Sequence, residues 1–198
     1  MKNPKTDYTV SLWESIGIGI GALILFLVGF SYLAWKSHNN NFDSERSQAI
    51  ARSLISYQIP GGSKGLYGIN IGGGQLAIVS SLKNLPNTYN SEIKIIVSKV
   101  LITQAENLDP RVFLDSQLIA SYSKTLSKQF CNRTSRLLIE KGQMLLSDGE
   151  HTSPATQYTL RNTVGNYQRE VIITSLGKDS EKKGQIVLQN INCIIREN

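Results

Sequence analysis

Histidine, cysteine and tryptophan each occur only twice in 198 residues, and this scarcity narrows the chemistry the chain can offer. His38 falls in the polar run SHNNNF and His151 in the polar stretch 148–154, neither of which builds a rigid pocket. No serine lies in a Gly-x-Ser-x-Gly elbow, and a hydrolase triad would have to recruit His151. Asp148, Glu150 and His151 are three potential metal ligands, but they lack the spacing of known metal motifs and read as a solvated loop. Cys131 and Cys193 stand too far apart for a Cys-x-x-Cys redox pair. Basic residues cluster no further than Lys182-Lys183, which excludes a nucleic-acid-binding stripe. The segment Gly72-x-Gly74-x-x-Ala77 meets a relaxed dinucleotide fingerprint, which requires a helix immediately afterwards. Residues 75–80 (QLAIVS) read as strand instead, so the glycines read as a turn. The expectation is a protein that is not an enzyme, with no cofactor and no metal.

What the chain does have is an uncharged run of twenty residues, 16–35, IGIGIGALILFLVGFSYLAW. At about 1.5 Å of rise per residue a helix of that length crosses a hydrocarbon core of about 30 Å. Trp13 and Trp35 bracket it, with Tyr32 near the second end, where amphipathic rings favour the bilayer interface. A cleaved signal peptide is the rival reading. Its apolar region is shorter, about 7 to 15 residues, and Gly29-Phe30-Ser31, which could serve as its small-x-small site, lies inside the run. Gly17 and Gly21 form a small-xxx-small pair, as do Ser15 and Gly19, a face on which a second helix can pack closely. Glycine is also common in membrane helices for other reasons.

Positive charge is nearly balanced across this span, Lys2 and Lys5 before it against Lys36, Arg46 and Arg52 after it. The cysteines break the tie. Both follow the span, as expected for one disulfide in an oxidising compartment, although two buried thiols in a cytosolic domain would give the same count. The domain organisation read from these features is a cytoplasmic tail, 1–15, an anchor, 16–35, a linker, 36–42, and one extracytoplasmic domain, 43–198. A domain of that size buries about 70% of its unfolded surface and folds without a staple. The net charge of +6 lies almost wholly in this domain, because Lys2 and Lys5 are offset by Asp7 and Glu14. Such an excess favours anionic lipid or acidic protein surfaces, and plain solubility is the simpler account of so small an excess.

Along the domain, Asp43 caps a helix that carries Ile50, Leu54 and Ile55 on one face and ends at Pro60-Gly61-Gly62. Residues 66–71 and 75–80 read as a hairpin, and 92–102 as a strand. Asp109 and Pro110 open a helix in which Leu114, Leu118, Tyr122 and Leu126 recur every fourth residue up to Phe130. Residues 135–147 read as strand with a kink at Lys141-Gly142, and Gly165-Asn166 joins the strands 157–164 and 167–176. Asp179 opens a final helix with Val187, Leu188, Ile191 and Ile195 on one face, weakened by Gly184. The fold class is α+β: a mostly antiparallel sheet flanked by about three helices and preceded by one transmembrane helix. Cys131 and Cys193 would then tie the ends of the middle and final helices.

The stretch 49–80 (AIARSLISYQIPGGSKGLYGINIGGGQLAIVS), together with Cys131 and Cys193, resembles a group of uncharacterised single-span membrane proteins of cyanobacteria. That resemblance implies a plasma-membrane or thylakoid anchor with the domain in the periplasm or lumen. The order of strands and helices is also similar to the PsbP-like fold of photosystem accessory proteins, a likeness of fold that carries no activity.

Two functions of different classes fit. The first is a membrane-anchored accessory or assembly factor working through protein contacts, with a membrane-protein partner or a second copy docking on the anchor. Tyr57, Lys64 and Tyr67, around the glycine-rich turn, are then the expected contact surface, although Tyr57 also suits the core. The second is a small-ligand or lipid-binding domain, which requires a concave apolar pocket between sheet and helix.

Overall fold

The structure, a computed structural model, describes residues 11–82, 92–105, 110, 118–146 and 150–194. The chain divides into two compact units, 1–39 and 40–198. The first consists of most of helix α1 (Leu12–Asn41), none of whose residues is buried. Its start is fixed by a reciprocal cap. The Glu14 amide donates to Ser11 Oγ at 3.2 Å and the Ser11 amide to Glu14 Oε2 at 2.9 Å, which satisfies two amides that the first turn cannot pair. At its other end the helix runs on to Asn41, through the residues expected to be a flexible linker. No glycine or proline interrupts residues 36–41, so the helix propagates until Phe42 and Asp43, where a second helix is capped.

The second unit contains α2 (Ser44–Leu54), β1 (Ile55–Ser56), β2 (Ser63–Ile71), β3 (Gly74–Ser81), β4 (Ile93–Leu101), α3 (Ile102–Ala105), β5 (Leu118–Phe130), β6 (Arg133–Leu145), β7 (Thr152–Val164), β8 (Tyr167–Leu176), α4 (Ser180–Gln189) and β9 (Asn192–Cys193). Seven strands form one antiparallel sheet in the order β2-β3-β4-β8-β7-β6-β5, and β1 pairs with β9. This is an α+β domain. The β2–β3 turn is made by Gly72 and Gly73 at φ +57° and +86°, the region that glycine enters without steric cost.

Helix α2 forms because Asp43 accepts from the Arg46 amide at 2.8 Å, with Glu45 in the first turn. It buries Ser47, Ile50, Ala51 and Leu54 against the sheet. Close approach depends on Gly65 and Gly68 of β2. A Cβ on Gly65 would collide with the Ser44 carbonyl and Ser47, and one on Gly68 would lie 2.8 Å from Ser47 Cα. The main core lies on this side of the sheet and includes Ala77, Val79, Ile95, Val97, Tyr158, Leu160, Val171 and Ile173, with Val187, Leu188 and Ile191 from the C-terminal region. A smaller cluster of Leu76, Ile78, Ile96 and Ile172 occupies alternate positions of β3, β4 and β8, facing away from that core. Asp43→Ala removes the α2 cap and is expected to cost about 1 kcal/mol. Urea unfolding of the full chain in detergent micelles, followed by circular dichroism, measures it.

Two expectations from the sequence are corrected. Residues 118–130, assigned to the middle helix, form the strand β5, paired along its length with β6. A four-residue apolar repeat is a multiple of two, so Tyr122, Leu126 and Phe130 also share one face of a strand. Non-local pairing with β6 selects the strand. Asp109 and Leu114 lie outside the described residues. In consequence the cysteines do not join two helix ends. Cys131 sits in the two-residue turn between β5 and β6, with Asn132, both at positive φ (54° and 57°), and Cys193 lies in β9. The two are bonded, their Cα atoms 4.8 Å apart. The final helix stops at Gln189, before Ile191, while Ile195 lies outside the described residues.

Candidate interaction surface

Helix α1 is apolar on every side. Leu25 and Phe26 are 75% and 67% exposed, and the helix is long and apolar enough to cross a membrane. Residues 16–35 of this helix carry no charge and none of them is buried, the composition and exposure that a bilayer-crossing helix requires. A signal sequence has the same composition. Nothing lies within 4 Å of the positions a Cβ would take at Gly17 or Gly21, so the small-residue face is open.

The three residues expected to form a contact surface are not brought together. Tyr57 is half-buried and packs against the main core, its hydroxyl buried with no hydrogen-bond partner among the described residues. Tyr67 packs instead against the smaller cluster, and its ring meets Phe42 edge-on at 5.4 Å between centroids. Lys64 is exposed on the same strand as Tyr67. The two tyrosines therefore serve opposite sides of the sheet, and only Lys64 and Tyr67 share an element.

The disulfide closes one end of the domain. Arg169 of β8 reaches it, Nη1 donating to Cys193 Sγ at 3.0 Å and to the Ile194 carbonyl at 2.9 Å. Burial lowers the pKa of this guanidinium from its ordinary value, and its Nε has no partner among the described residues. A cleft of about 600 Å³ opens here between Gln129, Phe130, Asn132, Asn192 and the cystine. A second, of about 620 Å³, lies between β6, β7 and the start of α4, with Lys141, Lys178, Lys182 and Glu181 on its walls. Polar groups predominate in both, unlike the enclosed apolar pocket that a lipid or small-ligand reading requires.

Sequence reasoning missed an exposed edge strand of the domain. β5 is the last strand of the sheet, with β6 as its one neighbour among the described residues, and residues 119–127 are all exposed. Tyr122, Lys124, Leu126 and Lys128 share one face, registered against Lys141, Ile139, Leu137 and Ser135 of β6. Lys128 Nζ donates to the Leu188 carbonyl at 2.8 Å, and its burial lowers its pKa. Ser123, Thr125, Ser127 and Gln129 form the other face. The signal was in the sequence as a two-residue alternation of Tyr, Lys and Leu with Ser and Thr, hidden under the stronger four-residue repeat. A bulge at Ser121 ends this alternation, opposite Gly142, where a Cβ would collide with the Ile119 carbonyl.

No family model matches the chain, and no curated protein is similar to it. The functional reading accordingly rests on geometry and charge.

Proposed function

We propose that the protein is a membrane-anchored accessory or assembly factor, single-pass, whose extracytoplasmic domain acts through protein–protein contacts. The observation that carries this is the pairing of a helix whose residues 16–35 are uncharged and exposed with a disulfide-bonded domain. The bonded cysteines favour an oxidising compartment, and hence a domain on the outer side. A periplasmic or lumenal position for the domain is part of this proposal. In this reading α1 remains uncleaved, and the open face of Gly17 and Gly21 receives a helix of a membrane partner or of a second copy.

Two measurements test it. Alkaline carbonate extraction of native membranes is expected to leave the chain in the pellet with residues 16–35 intact, and a mature protein beginning near Tyr32 would sink the anchor. In mild detergent the wild type is expected to migrate as a complex that the double substitution Gly17→Leu and Gly21→Leu disperses. A chain that runs alone in both forms counts against docking through the anchor.

A further inference from the structure

We infer that the free edge of β5 is a docking site for an extended, acidic segment of another protein, which adds to the sheet as an eighth strand. This deepens the reading of the domain as a contact module and rests on it. In an antiparallel hairpin closed by the two-residue turn Cys131-Asn132, alternate residues of β5 turn their backbone groups towards β6. Starting from the closing pair Phe130 and Arg133, those are Lys128, Leu126, Lys124 and Tyr122. The amides and carbonyls of Gln129, Ser127, Thr125 and Ser123 therefore point outward, a row that a partner strand can pair.

The side chains beside that row set the chemistry of the occupant. Tyr122 and Leu126, 48% and 40% exposed, alternate with Lys124 and Lys128, and β5 carries no carboxylate. A strand laid against this edge presents its own alternate residues across from these four, about 4.5–5.5 Å away between Cβ atoms. A carboxylate there pairs with the exposed Lys124, Lys128 being held by the Leu188 carbonyl, and apolar residues meet Tyr122 and Leu126. The opposite face, Ser123, Thr125 and Ser127, suits small hydroxyl residues.

The same lysines argue against a second copy. Two β5 strands paired antiparallel through their outward groups place a lysine of one copy directly or diagonally opposite a lysine of the other in every well-overlapped register, which like-charge repulsion disfavours. The charge pattern thus rejects the chain's own edge and selects an acidic one, a discrimination made by repulsion as much as by attraction.

The test uses the full chain in detergent micelles at low ionic strength, with fluorescein-labelled peptides repeating Thr-Glu-Thr-Val over about ten residues, and the same peptides with lysine for glutamate. Anisotropy is expected to show the acidic peptide binding at least about tenfold more tightly than the basic one. Thr125→Pro removes one outward amide and leaves the β6 ladder intact, so it is expected to weaken the acidic peptide about tenfold at an unchanged unfolding midpoint. Lys124→Glu is expected to invert the preference between the peptides, and it serves if Thr125→Pro does not fold. Equal binding of the two peptides, wild-type affinity in both variants, or self-association of the wild type that Thr125→Pro abolishes would overturn the proposal. Membrane pull-downs with wild-type and Thr125→Pro chains separate it from the broader reading. Partners held equally by both remove the edge alone, and partners held by neither remove the accessory role as well.

Discussion

Tyr158→Ala is expected to cost about 3–5 kcal/mol, the range for deleting a buried aromatic side chain. The ring is 1% exposed in the main core, and its hydroxyl donates to the Glu181 carbonyl of α4 at 3.0 Å. Tyr158→Phe keeps the ring and loses that bond, for about 1 kcal/mol. The partner of the ring is an absence. Gly184 of α4 lies where a Cβ would collide with the Tyr158 ring and sit 2.8 Å from Ser175 Oγ. Alanine in place of glycine favours an exposed helix by about 1 kcal/mol, yet Gly184→Ala is expected to destabilise this protein by about 1–3 kcal/mol, because α4 must lift from β7 and β8. In a Tyr158→Ala background the same substitution should cost about 1 kcal/mol less, or nothing. A double-mutant cycle by chemical denaturation, read at the far-ultraviolet helix signal, measures that coupling, and additive effects would refute the contact.

Burial, and then the charge of Glu181, push the Tyr158 hydroxyl up to about 12. Because the folded state holds this proton more tightly than the unfolded chain, the tyrosine's contribution is complete below pH about 10 and is lost as pH rises from there through about 12. Tyr158→Phe is expected to flatten that part of the alkaline transition, on top of the loss of about 1 kcal/mol at neutral pH from its missing hydrogen bond.

Opening the Cys131–Cys193 bond is the second large effect. The bond closes 62 residues, for which loop entropy gives about 4 kcal/mol at most. Two structural consequences add to this number. Cys193 belongs to β9, whose pairing with β1 registers Ile55 against Cys193, and the Ile194 amide donates to the Leu54 carbonyl at 3.0 Å, at the end of α2. The bridge therefore fastens the C-terminal strand both to the β5–β6 turn and to the segment that leads out of α2. The variant with Cys131→Ser and Cys193→Ser is expected to unfold at lower urea, with the largest loss of amide protection at residues 54–56 and 192–194. Hydrogen exchange resolves those segments, and protection unchanged there would contradict the fastening role.

Short-range signals were legible in the sequence wherever one local cause acted. Asp43 capped its helix, the paired glycines 72 and 73 turned the first hairpin, Gly165-Asn166 turned the last, and the twenty uncharged residues of α1 form a continuous helix. The α+β class followed from those elements. Residues 118–130 carry two periodicities at once, and their sequence had no means of ranking them, because the energy that decides comes from β6 and lies outside the segment. The polar residues 37–41 presented the reverse problem, polarity without a breaker, and the helix continued through them.

The sequence by itself determined an apolar helix of membrane-spanning length, a domain large enough to fold behind it, two cysteines on the same side, and hairpins closed by glycine. Only the tertiary structure decided that Gly65, Gly68 and Gly184 are contact points, that Tyr57 and Tyr67 belong to opposite sides of one sheet, and that β5 ends the sheet with its outward groups unpaired among the described residues. The reason is that each of these depends on which distant segment arrives at a given position. Local periodicity records the face a residue presents, whereas the identity of the neighbour on that face is set by the strand order.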